Sequence, residues 1–238
     1  MRRMKSNAEL PVLRWIVVLT LCASLTPIMA QVPPSPADIA SYRGLHAAAL
    51  KGDAALIKQL ASTGATAIDS RDARGRTPLH VAAHLGRVDA LHALVAAGAD
   101  PNLLEGDRYD IVTIAAVAND LPTLDAALAL GCKPTNITSR YDGTALIAAA
   151  HLGHVEVVQR LIRAGAPLDH VNNLGWTALI ESIVLGDGGP RHTATLKALV
   201  EAGADVNLPD RNGAAPLALA TSGGYAKMVD LLKSRGGR

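Results

Sequence analysis

The sequence predicts an all-α solenoid of about six stacked helix-turn-helix units joined by hairpin-like finger loops, and three markers held in register predict it. The first is a glycine followed by a small residue, at Gly64, Gly98, Gly131, Gly165, Gly203 and Gly236, in steps of 34, 33, 34, 38 and 33 residues. The second is Leu45, Leu79, Val112, Leu146, Leu179 and Leu217, each opening an Ala-rich stretch. The third falls seven positions later, at Gly52, Gly86, Asn119, Gly153, Gly186 and Gly224. A unit of that size cannot bury its own apolar face, but stacked neighbours can, so a period between about 20 and 50 residues means an array. Hydrophobic residues are 49% of the chain and there is no Phe. The core must therefore be built from Ala, Leu, Val and Ile, which suits thin, closely stacked elements.

Residues 1–30 read as a signal peptide. Arg2, Arg3, Lys5 and Arg14 make a basic start, and the apolar run Trp15 to Leu25 is too short to span a bilayer, which takes about 20 residues. The segment ends on the small residue Ala30, although Ile28 is a poor occupant of a cleavage motif. An uncleaved anchor is the rival reading. Bulky Leu21 argues against lipid attachment at Cys22. Removing residues 1–30 takes away four basic residues and Glu9, which turns a net charge of +2 into −1. No basic stripe remains to neutralise phosphates, which sets nucleic acid aside as a partner. Cys132 is then the one cysteine, so no internal disulfide forms. Residues 31–36 (QVPPSP) read as a flexible or extended leader.

The units follow at about 37–69, 70–102, 103–136, 137–169, 170–207 and 208–238. The second contains GRTPLHVAAHLGRVDALHALVAAGADPN, Gly75 to Asn102. Thr77 is the N-cap of a first helix and Pro78 its first residue, where a missing N–H costs nothing. Gly86 breaks that helix in a conformation with positive φ, a job Asn119 does in the third unit. Val88, Leu91, Leu94 and Val95 share one face of a second helix, which Gly98 ends. The first unit lacks the Thr-Pro start, as a terminal unit can. The third departs most: Asp110 must cap, Ile111 replaces Pro, and Pro122 sits near the start of the second helix. It is expected to be less regular. The last helix carries Lys227, Asp230, Lys233 and Arg235, a charged face suited to closing a stack.

These residues resemble the ankyrin repeat, with its Gly-x-Thr-Pro-Leu-His-x-Ala-Ala-x-x-Gly start and Gly-Ala-Asp-x-Asn end. The resemblance covers about residues 37–238. It implies binding of another protein without catalysis or cofactor, through the fingertips and the concave face of the first helices. Carried over residue by residue, the contact positions are Arg74, Arg76 and His84, then Asp107 and Tyr109, then Arg140, Tyr141 and His151, then Leu174 and Trp176, then Arg211 and Asn212. Aromatic side chains are scarce here, and such residues dominate binding hot spots. The step of 38 residues marks an insert after Gly186; Gly188, Gly189 and Pro190 predict a tight protruding loop that exposes Asp187 and Arg191. The stretch NLGWTALIESIVLGDGGPRH also resembles a recurrent fifth repeat of bacterial ankyrin proteins, which implies an exported, periplasmic protein, expected as a monomer with no membrane contact after cleavage.

Sites for chemistry are weak. His80 and His84 stand four apart on a helix and could face one metal, but His80 is the repeat's own structural histidine, like His46. His151 and His154 are three apart, with His154 at a helix start. Cys132 replaces an Ala and reads as a buried, inert thiol. There is no phosphate-binding glycine loop and no nucleophile elbow. Asn136-Ile-Thr138 fits a glycosylation acceptor. Two rivals to a periplasmic scaffold remain: a metal- or haem-binding accessory protein, and a membrane-anchored cytosolic regulator.

Overall fold

A computed structural model describes residues 31–64 and 67–238. The expected signal peptide lies outside the described residues. The leader is extended over residues 31–35 and leads into a short helix, α1, Pro36–Ser41. Ser35 caps it: its hydroxyl accepts from the Asp38 N–H while the Asp38 carboxylate accepts from the Ser35 N–H. Six helix pairs follow: α2 Gly44–Lys51 and α3 Ala54–Ser62; α4 Pro78–His84 and α5 Val88–Ala96; α6 Ile111–Ala118 and α7 Leu121–Ala129; α8 Ala145–Leu152 and α9 Val155–Arg163; α10 Ala178–Val184 and α11 Pro190–Glu201; α12 Pro216–Ser222 and α13 Ala226–Ser234. The first helices pack in one row and the second helices in another, each touching its own partner and the adjacent repeats.

The sequence explains the close spacing. One column of the inner row is Ala48, Ala82, Ala115, Ala149, Ser182 and Ala220, all fully buried. Small side chains there let helix backbones approach, while the column of Leu45, Leu79, Val112, Leu146 and Leu179 fills the space towards the second helices. Thr77 caps its helix as expected, Thr144 and Thr177 do the same in the fourth and fifth repeats, and Asp110 caps α6, accepting from the Thr113 N–H at 2.7 Å. Asn119 takes φ 55° in place of glycine. The third repeat is as regular as its neighbours, with helices of 8 and 9 residues and Pro122 in the first turn of α7. Regularity survives because Asp110 supplies the cap and Pro122 falls where no N–H is needed. The last helix exposes Lys227, Asp230, Lys233 and Arg235 to solvent.

The fingers are stitched to one another through main-chain bonds. Gly106 N–H donates to the Arg74 carbonyl at 2.9 Å, Ser139 to Arg108 at 2.8 Å and Asn173 to Tyr141 at 2.8 Å. Gly106 is required there, since a Cβ would collide with the Arg74 carbonyl. Among the described residues there is no strand, only an isolated antiparallel bridge between Thr138 and Gly143.

The insert after Gly186 divides between loop and helix. The second helix starts two residues after the mid-repeat glycine in the second repeat (Gly86, Val88) and four after it in the fifth (Gly186, Pro190). Helix α11 has 12 residues where the other second helices have 9. Two of the five added residues lengthen the loop and three extend the helix, which begins with Pro190 at its first position.

Candidate functional site

The position just before each first-helix N-cap is occupied in turn by Tyr42, Arg76, Tyr109, Gly143, Trp176 and Ala214. The structure divides this column in two. Tyr42 and Tyr109 are 6% exposed and Arg76 is 0% exposed, so the first three repeats keep these side chains inside. Two of the expected contact residues are therefore corrected. Arg76 is locked between Asp72 at 2.8 Å and Asp38 at 2.9 Å, and Tyr109 packs into the core. Neither is accessible to a partner in this conformation. Trp176 is half-buried, and its neighbours in register, Gly143 and Ala214, have almost no side chain.

The remaining contact residues are placed as follows. Arg74, Arg140, Asp187, Arg191, Arg211 and Asn212 are exposed, whereas Asp107, Tyr141 and Leu174 are half-buried. The fingertip charges pair across fingers, Arg140 with Asp107 at 3.2 Å and Arg108 with Asp142 at 3.0 Å. The Arg211 guanidinium donates to the Asn173 carbonyl of the preceding finger. His84 is half-buried, its Nε2 is covered without a hydrogen-bond partner, and burial with Arg76 and His80 nearby pulls its pKa down to about 4. It is a neutral ring at pH 7 and a poor polar contact.

His80 cannot serve a metal as it stands. Its Nε2 donates to the Leu103 carbonyl at 3.0 Å and its Nδ1 accepts from the Thr77 N–H at 3.2 Å. His46 likewise reaches the Arg76 carbonyl at 3.0 Å. Cys132 is buried beside Asp110, and burial pushes its thiol pKa far up. The glycosylation acceptor is also corrected: Asn136 Nδ2 donates to Asp110 at 2.8 Å and Asn102 at 3.0 Å, and Thr138 is 1% exposed, so the folded chain does not offer the amide.

In repeats four to six, one polar network joins Asp187, His151, Leu174 and Trp176 among the expected contact residues. Asp187 Oδ1 lies 2.8 Å from His192 Nδ1, and His192 Nε2 donates to the His151 carbonyl at 3.0 Å. Both ring nitrogens of His192 thus lie at hydrogen-bond distance from oxygen atoms. Its hydrogen bond, followed by that of the Gly189 N–H, holds the Asp187 carboxyl below the usual range. His151 Nδ1 then donates to Glu181 Oε2 at 3.2 Å, and Asn172 Nδ2 donates to Glu181 Oε1 at 2.9 Å. Asn172 Oδ1 accepts from the Leu174 and Trp176 N–H groups, both at 3.0 Å. The chain of bonds runs from the insert loop to the fifth finger. Tyr225 of the sixth repeat closes it by donating to the Gly186 carbonyl at 3.1 Å.

Glu181 is the centre of this network and sequence reasoning missed it. Its column reads Ala47, Val81, Ile114, Ala148, Glu181, Leu219, so a carboxylate in an apolar column was a legible signal. The residue is fully buried, and a buried charge is tolerated only where its oxygens are satisfied. Its partner His151 keeps 25% of its side chain accessible. Asn172, His192 and Asp38 were missed as well. Among the described residues, no group of three metal-ligating side chains assembles.

The whole pattern has close counterparts. A family model for ankyrin repeats (three copies) matches residues 26–105 and 112–210. The chain belongs to the ankyrin-repeat family. It is 32% identical over 191 residues to the ankyrin repeat protein YahD of Escherichia coli K12, covering 79% of this chain and 94% of that one. In the larger ankyrin repeat protein nuc-2 of Neurospora crassa, 27% identical, it spans 21% of the length. An ankyrin repeat domain from Acinetobacter baumannii superimposes with a TM-score of 0.76 at 42% identity, over 82% of this chain and 98% of that one. A chain of the complex between a predatory endopeptidase of Bdellovibrio bacteriovorus and an immunity protein shares the fold at 21% identity, with a TM-score of 0.66 over 82% of this chain and 98% of that one. Ankyrin repeats generally mediate protein–protein interaction and supply no chemistry of their own.

Proposed function

We propose that this protein is a non-enzymatic scaffold that binds a partner protein through the concave face of repeats four to six, with Arg140, Tyr141, His151, Trp176 and Arg211 as contacts and Asp187 and Arg191 at the edge. The observation that carries this reading is the buried Glu181 network. It fixes the fifth finger, the accessible ring of His151 and the insert loop in one arrangement. Ordering paid for in the free protein is not charged again on binding, which is how a pre-formed site gains affinity. An apolar residue at 181, as in the other repeats, would serve stacking alone.

On this reading residues 1–30 act as a signal peptide and the repeats work in a bacterial periplasm as a monomer; the likeness to proteins of Escherichia coli and Acinetobacter baumannii supports the bacterial setting alone. The test is affinity capture from the native host by the wild type and by a folded Trp176→Ala, Tyr141→Ala double variant. Hot-spot truncations cost at least about 2 kcal/mol, so the double variant is expected to lose most of its partner. Equal recovery by both would remove this face from consideration. N-terminal sequencing of the exported chain checks the location, with Gln31 or a residue close to it expected first.

A further inference from the structure

The contact position Arg76 of the second repeat is covered by the chain itself. Residues 31–38 cross from the second finger to the inner helix of the third repeat. Gln31 Nε2 donates to the Thr113 carbonyl at 2.9 Å. The Val32 carbonyl accepts from Arg76 Nη1 at 3.3 Å, and Asp38 Oδ2 stands 2.9 Å from Arg76 Nη2 and 3.7 Å from Arg74 Nε. Arg76 thus gives two nitrogens to this strap and the third to Asp72 of its own finger. Bonds from the Arg76 side chain and from Ser35 hold the Asp38 carboxyl well below the usual range.

The strap is attached as a ligand is attached, and hydrophobic burial contributes little to it. Helix α1 buries none of its residues. Val32 and Ile39 remain 37% and 38% exposed, and Pro34 is the sole buried side chain among residues 31–41. A segment held mainly by exchangeable polar bonds opens at low cost. What it would leave behind is the guanidinium groups of Arg76 and Arg74, with Asp72 still bonded to Arg76 and the buried Glu105 carboxyl near it, at the very positions ankyrin repeats offer to partners. Arg forks favour carboxylates, and extended proline-containing segments lose little entropy on docking.

We propose that the Arg74–Arg76 site binds an acidic, proline-containing extended segment of a partner protein, and that residues 31–38 are its resident ligand, displaced when that segment docks. This deepens the scaffold reading but concerns repeats one to three, so its failure leaves the Trp176 and Tyr141 test untouched.

The test uses the full chain and, as probe, a fluorescent peptide with the sequence of residues 31–42. Asp38→Ala in the protein loosens the strap and leaves both arginines in place. The peptide is expected to bind the Asp38→Ala protein at least tenfold more tightly than the wild type, with amide exchange in residues 31–41 of that variant faster than in the wild type and the helices beyond α2 unchanged. Binding should vanish when the peptide carries Asp38→Ala or the protein carries Arg76→Met in addition. If Arg76→Met does not fold, Arg74→Glu on its exposed side chain serves as the second variant, with a loss of at least fivefold expected. Unchanged exchange in residues 31–41 of the Asp38→Ala protein would show the strap to be fixed structure. A loosened strap with no peptide binding, or equal binding of a scrambled peptide of the same charge, would equally overturn the proposal.

Discussion

At the scale of single residues, the buried polar groups carry the sharpest expectations. Glu181 satisfies Asn172 on one side and His151 on the other. Glu181→Ala leaves both unpaired; orphaning the buried Asn172 amide costs roughly 1–3 kcal/mol, and the partly accessible His151 ring adds less because water reaches it. Glu181→Gln keeps an acceptor for Asn172 and should cost less. Urea denaturation of the two variants checks the order, Ala below Gln below wild type. Histidine protonation gives a second expectation. Burial lowers the pKa of His80 and of His84 to about 4, below the ordinary 6.5, so the unfolded chain takes up these protons first on acidification. Their contribution is intact above pH 6.5 and lost as pH falls towards 4. Glu105 acts with opposite sign: burial raises its pKa to about 6, and it favours the folded state as pH falls from 6 to 4.5. Two histidines with larger shifts outweigh one glutamate, so Tm should be lower at pH 4.5 than at pH 7, by roughly 2–4 °C for each kcal/mol lost. A Tm higher at pH 4.5 would contradict this.

At the scale of elements, the sequence was read most accurately where local chemistry decides. Thr77, Asp110 and Asn119 act within their own turns, so cap and break positions could be read directly. The tight inner row also follows from its alanines. Ala149→Leu should overpack α8 against its neighbours and cost about 1–3 kcal/mol, measured by urea denaturation, whereas Ala218→Leu on the exposed face of α12 should change little. The insert was only half legible. Gly188-Gly189-Pro190 signalled a loop, but the Pro190 N-terminus also let three residues join the helix. The loop is then fixed by groups far away in sequence: Tyr225 donates to Gly186, and a Cβ on Gly188 would run into the Tyr225 ring.

At the scale of the molecule, the repeat count and stacking were plain because a recurring marker is a one-dimensional signal. Accessibility was not, because it depends on which distant segment lies over a residue. Arg76 and Tyr109 occupy the same register position as Trp176, yet only Trp176 is partly open. Nothing near Arg76 in sequence announces Asp38 as its partner. The folded chain therefore divides the face: its own leader lies over Arg76 in the second repeat, whereas Trp176 is left partly open beside the network centred on Glu181. That division makes the open part the expected docking surface. Photo-crosslinking in the native host from p-benzoylphenylalanine at Trp176, with the same group at exposed His92 on the outer helix α5 as control, tests this most directly. The account predicts a discrete crosslinked partner from position 176 and none from position 92; the same product from position 92, or one from there alone, would contradict it.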